Sequence, residues 1–386
     1  LKKFDKGKVL IISFSHFTHD VYSSFLAPML PLLISKLGIS LSETAFLDIV
    51  RRLPALFNPL FGLMAERRGV KLIVILMPSV TAICMSFLGL ANSYIVALIL
   101  LFVAGISAAL YHIPSPVMIK EASGNRIGVG MSFFMVGGET ARTVGPLLIT
   151  AGISLWGLDG TYRLVPFGLL SSFLLYWKLR NFASRSNFNK KKEKGAAKNF
   201  LKRYTFFFGV LGGFIFFQSA MKSALVLYLP VYLTQNGSSL WYAGISLSVL
   251  QFFAVLGTLF SGTYSDRIGR YRMLFISSLI SSISMILFVL YRDVLLFPLL
   301  AILGFFLFAT GPILLASVQD LNSGMPTFAN SIYMAVNFGI GSIAVYMIGR
   351  SGDIMGLNKT YQAVAALSFG CIVSVFMLKK AARYKL

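Results

Sequence analysis

Long apolar runs, each bounded by charged residues or by clusters of Gly, Asn and Ser, follow one another along the whole chain. They lie at 9–35, 43–64, 71–91, 94–118, 127–154, 161–179, 204–233, 241–264, 272–291, 293–317, 327–349 and 360–378. A helix needs about 20 apolar residues to cross a bilayer, so the pattern predicts an all-α membrane protein with twelve transmembrane helices. Several runs exceed a perpendicular crossing, which predicts tilted or curved helices. Only Tyr291, Arg292 and Asp293 separate the ninth run from the tenth, a tight hairpin.

Composition agrees with the pattern. Of 386 residues, 56% are hydrophobic and 12% charged, against about 45–50% and about 25% in a soluble domain. Lys and Arg number 35 against 13 Asp and Glu, a net charge of +22. A basic surplus of that size fits a nucleic-acid binder, but a mean hydropathy of +0.78 leaves too few polar residues to clothe a soluble surface, so no nucleic-acid partner is expected. Placement gives the charge its meaning: 26 of the 35 Lys and Arg fall on the side of the N-terminus and only 5 on the other. The positive-inside rule then makes the chain multi-pass with both termini cytoplasmic.

Residues 181–203 form the only long polar segment, with Asn189-Lys190-Lys191-Lys192-Glu193-Lys194-Gly195 at its centre. It reads as a solvated linker, and a basic strip against lipid headgroups is the other reading. It divides the chain into 1–180 and 204–386. The basic N-terminus leads into a run too long for a signal peptide. Cys84 and Cys371 lie apart in apolar runs, so neither a disulfide nor a metal site is implied.

The two parts repeat each other. Leu30-Pro31 with Gly38 returns as Leu229-Pro230 with Gly237, Gly62 to Gly69 returns as Gly262 to Gly269, and Lys120-Glu121 answers Gln319-Asp320. The offset is 199 or 200 throughout. Two parallel six-helix bundles, with a substrate site near the midplane, are the architecture such a repeat predicts.

The repeated motif resembles the G-x-x-x-D-R-x-G-R/K signature of the major facilitator superfamily. Its copies are Gly62, Glu66, Arg67, Gly69, Lys71 and Gly262, Asp266, Arg267, Gly269, Arg270; the first has Glu66 for Asp and Val70 where a basic residue is usual. The resemblance implies that these residues latch the cytoplasmic side in the outward-facing state. Along the N-terminal half, His16-Phe17-Thr18-His19-Asp20, Phe25 to Leu33, Asp48-Ile49-Val50-Arg51-Arg52 and His112-Ile113-Pro114-Ser115-Pro116 resemble the fosmidomycin-resistance group of drug exporters. That resemblance implies export of a small phosphonate antibiotic in exchange for protons across a bacterial inner membrane. An antiporter hallmark of the fifth span is partial, since Gly145-Pro146 is followed by Ile149 and Thr150 where glycines are expected, and the usual Arg of the span-four motif is missing.

Ionisable groups at membrane depth are costly and mark functional sites. Here they are His16, His19, Asp20, Asp48, Arg51, Arg52, His112, Glu139, Arg142 and Lys222. His16 and Asp20, four apart, share a helix face, and a carboxyl in low dielectric beside an imidazole suits proton transfer. Asp20, His16, His19, Glu139 and Asp48 are therefore the candidates for proton coupling, and an internal structural hydrogen bond is the competing reading. Arg51, Arg52, Arg142, Lys222, Gln218 and His112 are the candidates for binding substrate. Asp48 precedes two arginines and Glu139 precedes one, spacings that can be purely structural ion pairs, and Asp48 cannot fully neutralise both of its arginines. Under the 199 offset, Gln218 stands where His19 does. Four cations against three acids favour an anion, whose oxygens Arg grips bidentately.

No enzyme or ATPase motif is present, so the expected function is secondary transport by alternating access. The expectation is a monomer surrounded by membrane lipids, with a small anionic substrate, no cofactor or metal, and the proton as coupling ion. Uptake or uniport of an organic anion, and a non-transporting sensor or lipid scramblase of the same fold, are the alternatives.

Overall fold

The computed structural model describes residues 4–58, 71–180, 196–321 and 326–383, which are almost entirely helical. It forms two compact units. The first comprises Leu1–Ile39, Phe46–Lys190 and Gly237–Ser248, and the second comprises Ser40–Ala45, Lys191–Asn236 and Val249–Leu386.

The first apolar run folds as two helices, not one: α1 (Lys6–Ser23) and α2 (Leu26–Leu37). Pro28 has no amide hydrogen to offer the carbonyl four residues earlier, at Ser24, and the helix breaks there. Asp5 caps α1 by accepting from the Lys8 amide at 3.0 Å. Gly38, at φ 63°, ends α2 in the left-handed conformation that glycine adopts without strain. Next come α3 (Leu41–Arg52) and a tight 3₁₀ turn, Leu53–Phe57, set by Pro54. Ser40 and Glu43 form a reciprocal capping box at the start of α3. Asp353 accepts from the next two amides, Leu41 at 2.7 Å and Ser42 at 3.0 Å.

The first unit continues with α4 (Lys71–Phe87), α5 (Tyr94–His112), α6 (Ser115–Ser123), α7 (Ile127–Trp156) and α8 (Val165–Leu179). Val9, Ile12, Val74, Tyr111, Met118 and Leu175 form its buried core. The second unit contains α9 (Ala196–Lys222), a π turn at Ser223–Leu227, α10 (Leu229–Gln235) and most of α11 (Leu240–Ile268). It ends with α12 (Arg270–Gln319), α13 (Pro326–Leu367) and α14 (Gly370–Arg383). The apolar stretches Arg270–Val318 and Ile332–Ala382 hold 49 and 51 residues, enough for two crossings each. The first bends at Tyr291 and Leu295, where the hairpin is expected, and the second at Gly356. Among the described residues the fold is all-α, in two pseudo-symmetric bundles, with six clear apolar spans and up to twelve transmembrane helices when the bent stretches are counted as pairs.

The repeat recurs in the packing. Gly157 and Gly356, 199 apart, both take positive φ and stop a helix at the same place in each bundle. A Cβ on Gly105 would lie 2.0 Å from the Arg51 carbonyl oxygen, and one on Gly304 would lie 2.3 Å from that of Leu250, the same pair 199 residues on. Ser35 donates to the Pro31 carbonyl and Thr234 to that of Pro230.

Burial runs opposite to that of a soluble protein. Asp20 and Asp48 are 6% and 2% exposed while Leu155 and Val294 are 71% and 83% exposed. An apolar exterior of this kind suits lipid, and it leaves the charges inside.

Candidate functional site

All three histidines of the chain converge on one carboxylate. Asp20 sits one turn before the break in α1, so it and His16 are stacked on one face. Its Oδ2 lies 3.4 Å from His16 Nε2. Its Oδ1 lies 2.9 Å from His19 Nδ1 and 3.2 Å from His112 Nε2, which reaches over from the end of α5. Asp20, His16 and His19 are buried, whereas the His112 side chain is 41% exposed. The donor atoms of His16, Asp20 and His112 lie within 4.8 Å of one another, close enough to clasp a single small cation, of which the proton is the smallest.

The rings are held from behind. His16 stacks on Phe134 at 3.9 Å between centroids, and its Nδ1 donates to the Phe134 carbonyl at 2.7 Å. That close approach needs Gly138, whose missing Cβ would strike the His16 ring. His19 stacks on Tyr111 at 4.5 Å, and Tyr111 is tied by its hydroxyl to Ser15 at 2.9 Å. His19 Nε2 lies 3.0 Å from Thr81 Oγ1; Thr81 donates to Ser107, and Ser107 to the Met77 carbonyl, both at 2.8 Å.

A second charged group lies in the same unit. Each oxygen of Asp48 takes one arginine at 2.8 Å: Oδ1 receives Arg51 and Oδ2 receives Arg52. Both cations are therefore paired geometrically, and one carboxylate against two guanidinium groups leaves the net positive charge that the sequence implies. Arg52 is 55% exposed and Arg51 22%. Gly105 rests on the Arg51 backbone and His112 follows seven residues later on the same helix. Seven residues are nearly two turns, so His112 and Gly105, against which the Arg51 backbone packs, lie along one face of α5, about 10 Å apart along its axis.

Glu139 and Arg142 pair with each other on α7 at 3.3 Å, with Arg142 half exposed. Gln218 and Lys222 belong to the second unit. Gln218 is buried and donates to the Leu307 carbonyl at 3.1 Å and to Thr310. Thr310 is the repeat equivalent of Tyr111, so Gln218 meets α12 as His19 meets α5. Lys222 Nζ stands 4.9 Å from the centre of the Phe308 ring, a cation–π distance. The charged residues of the first unit have no such echo: the equivalents of Asp20, Asp48, Arg51 and His112 are Ser219, Leu247, Leu250 and Gly311.

In the second copy of the repeated motif, Arg270 pairs with Asp266 at 2.5 Å and with Asp320 at 3.2 Å. Gly269, at φ 101°, turns the chain between α11 and α12, Gly262 lies within α11, and Arg267 is exposed. Gly62, Glu66, Arg67 and Gly69 lie outside the described residues.

Sequence reasoning missed the groups that hold the histidines. Tyr111, Thr81, Ser107 and the Phe134 carbonyl carry no pattern of their own, because single hydroxyls are common in apolar helices and a backbone carbonyl leaves no trace in a sequence.

A family model described as Major Facilitator Superfamily matches residues 12–346. The chain is 25% identical over 371 residues to the fosmidomycin resistance protein of Escherichia coli, covering 95% of this chain and 91% of that one. It is 22% identical over 395 residues to a multi-drug resistance efflux pump of Streptococcus pneumoniae, covering 98% of each. Among solved structures, a bacterial homologue of the human lysosomal transporter Spinster superposes with a TM-score of 0.76 at 16% identity, covering 100% of this chain and 98% of that one. A D-xylose–proton symporter gives 0.76 at 13% identity, covering 97% of each chain.

Proposed function

Because the chain belongs to the Major Facilitator Superfamily, we propose that this transporter is a proton-coupled exporter of a small anion, a phosphonate such as fosmidomycin, working by alternating access. It acts as a monomer in a bacterial inner membrane with both termini cytoplasmic. The observation that carries the reading is the buried Asp20 carboxylate, faced by His16, His19 and His112, in the same unit as a net-positive Arg51–Arg52–Asp48 group.

A proton and an anion are the two ligands such neighbours suit. A buried carboxylate among imidazoles exchanges protons without leaving a bare charge in a low-dielectric interior. A half-exposed Arg52 offers the planar fork that binds phosphonate oxygens. Arrival of an anion there adds negative charge in the same unit as His112, which shifts the proton balance of the cluster. Arg142, Lys222 and Gln218 are proposed as further substrate contacts, with Glu139 and Asp48 as secondary proton carriers. The repeated Gly-Asp/Glu-Arg-Gly motif acts as the conformational latch.

The test is purified protein in liposomes under an imposed pH gradient, with proton movement followed as fosmidomycin or a simple phosphonate is added. Substrate-dependent proton flux is expected in the wild type, with loss of exchange in Asp20→Asn and weakened substrate affinity in Arg51→Ala. Saturable flux of the anion that survives Asp20→Asn would instead support a uniporter, and no solute flux at all would support a sensor or scramblase.

A further inference from the structure

The hydrogen bonds behind the histidines dictate which ring nitrogens already carry a proton. A carbonyl oxygen only accepts, so the contact of His16 Nδ1 with the Phe134 carbonyl places a hydrogen on Nδ1. On the other ring, Ser107 gives its only hydroxyl hydrogen to the Met77 carbonyl, so Thr81 must give its own to Ser107. Thr81 is then an acceptor toward His19, and Nε2 of His19 carries a hydrogen.

A neutral imidazole has one N–H. With that hydrogen committed to the far side, His16 Nε2 and His19 Nδ1 would each aim a lone pair at the ionised Asp20 carboxylate, 3.4 and 2.9 Å away. At 2.9 Å the His19 contact is a hydrogen bond and holds a proton between the two atoms, whereas the 3.4 Å His16 contact is an ion pair, attractive only while the His16 ring is imidazolium. Each of these two lines therefore calls for its own proton beyond those of neutral histidines and an ionised aspartate. The third line differs: among the described residues, no carbonyl or hydroxyl contact fixes the tautomer of His112, and His112 is the one exposed member.

We propose that Asp20 with His16 and His19 stores two exchangeable protons in this geometry, one on each line, and that His112 is the port through which they pass. The proposal rests on the reading of Asp20 as proton carrier and adds how many protons it holds and the route they take. In the loaded cluster the two rings are imidazolium against one carboxylate. Unloading starts from the Nδ1–H tautomer of His112: the His19 Nδ1 proton moves to Asp20 Oδ1, which His112 shares, and from there to His112 Nε2 while Nδ1 of His112 releases its own proton to solvent. Once solvent exchange returns His112 to that tautomer, the His16 proton follows through Asp20 Oδ2 after the carboxyl turns that oxygen to His112. Charge and proton count balance at each transfer. Other charged groups on the packed helices are already paired or distant: Glu139 holds Arg142 on α7, Lys178 of α8 lies beside Gly7 at the start of α1, and Lys120 and Glu121 of α6 precede Ala122, whose carbonyl takes the Asp5 amide at that same end. Tyr111 spends its hydroxyl on Ser15, and α4 carries no acid, and no Lys or Arg beyond its first residue.

The chain has three histidines, so ¹⁵N labelling of their rings gives an assignable spectrum. Purified protein in detergent near neutral pH is expected to show His16 and His19 with both nitrogens protonated, assigned by the single variants His16→Gln, His19→Gln and His112→Gln. In Asp20→Asn, His16 should revert to the Nδ1–H tautomer and His19 to the Nε2–H tautomer. Neutral wild-type rings carrying their hydrogen on the Asp20-facing nitrogen would overturn proton storage. For the port, ring N–H exchange into D₂O at His16 and His19 should slow tenfold or more in both His112→Ala and His112→Gln, and added imidazole should restore it in His112→Ala. Unchanged exchange in both variants would overturn that role. Neither readout uses transport, so wild-type liposomes without substrate-driven proton flux would reject the exporter reading alone.

Discussion

Gly304 lies against the backbone of Leu250 so closely that a Cβ would stand 2.3 Å from its carbonyl oxygen. Gly105 does the same to Arg51, and the two contacts are 199 residues apart. The bundles thus share a packing device, and only the first has charged side chains added to it. Alanine at either glycine should cost about 1–3 kcal/mol through overpacking, read as a lower unfolding temperature in detergent. Gly105→Ala should also weaken phosphonate binding by displacing Arg51, and Gly304→Ala should not. Equal effects of both on binding would show that the contact at Arg51 serves packing alone.

Asp48 is the hinge of the arginine pair, one oxygen at 2.8 Å from each guanidinium. Asp48→Asn leaves two cations with no anion, and breaking a buried pair from one side costs on the order of 3 kcal/mol. Removing Arg51 as well lifts part of that penalty, so Asp48→Asn/Arg51→Gln should unfold at a higher temperature than Asp48→Asn. Additive losses in this cycle would mean that Asp48 and Arg51 do not interact energetically.

Asp5 precedes the first span and is held below the usual carboxylate range, first by the Lys8 ammonium 2.7 Å from its Oδ2, with the Lys8 amide it caps adding to the shift. A depressed folded-state value means that Asp5 stabilises the fold at neutral pH and loses that contribution as acid takes the pH below about 3.8 and through the lowered value. Loss of this N-cap in Asp5→Ala should cost about 1 kcal/mol near neutral pH. The gap to wild type should close under acid in a thermal-unfolding series. A gap that persists below that range would assign the effect to something other than ionisation.

How far the sequence announces these features depends on their physics. Hydropathy exposes the crossings because lipid demands long apolar stretches, and the 199-residue offset survives at several glycines and prolines that the backbone needs, as at Gly38 and Gly237 or Pro31 and Pro230, though not at Pro28, whose equivalent is Leu227. The pairing of His16 with Asp20 is visible from their spacing on one turn. The convergence of His112 is not, because it comes from a helix ninety residues away. Nor is the break in α1 after Ser23: hydropathy runs through it, and only Pro28 marks it. The two arginine bonds of Asp48 escape a simple count of charges, since a carboxylate has two oxygens to give.

Thr81 shows how a neutral side chain governs a charge. Its hydroxyl accepts from His19 Nε2 at 3.0 Å only because its own hydrogen is taken by Ser107 at 2.8 Å. Thr81→Val deletes that acceptor while keeping the shape of the side chain. A buried Nε2–H of His19 without a partner costs about 1–3 kcal/mol, and the ring escapes the cost by moving its single hydrogen to Nδ1, where Asp20 accepts it. An ordinary neutral histidine–carboxylate bond then replaces one of the two stored protons. Thr81→Val should therefore show His19 as the Nδ1–H tautomer by ¹⁵N spectroscopy and leave His16 unchanged, whereas Thr81→Ser, which restores the hydroxyl, should keep the wild-type signal. If both variants leave His19 as in wild type, the Thr81–Ser107–Met77 chain does not set its tautomer.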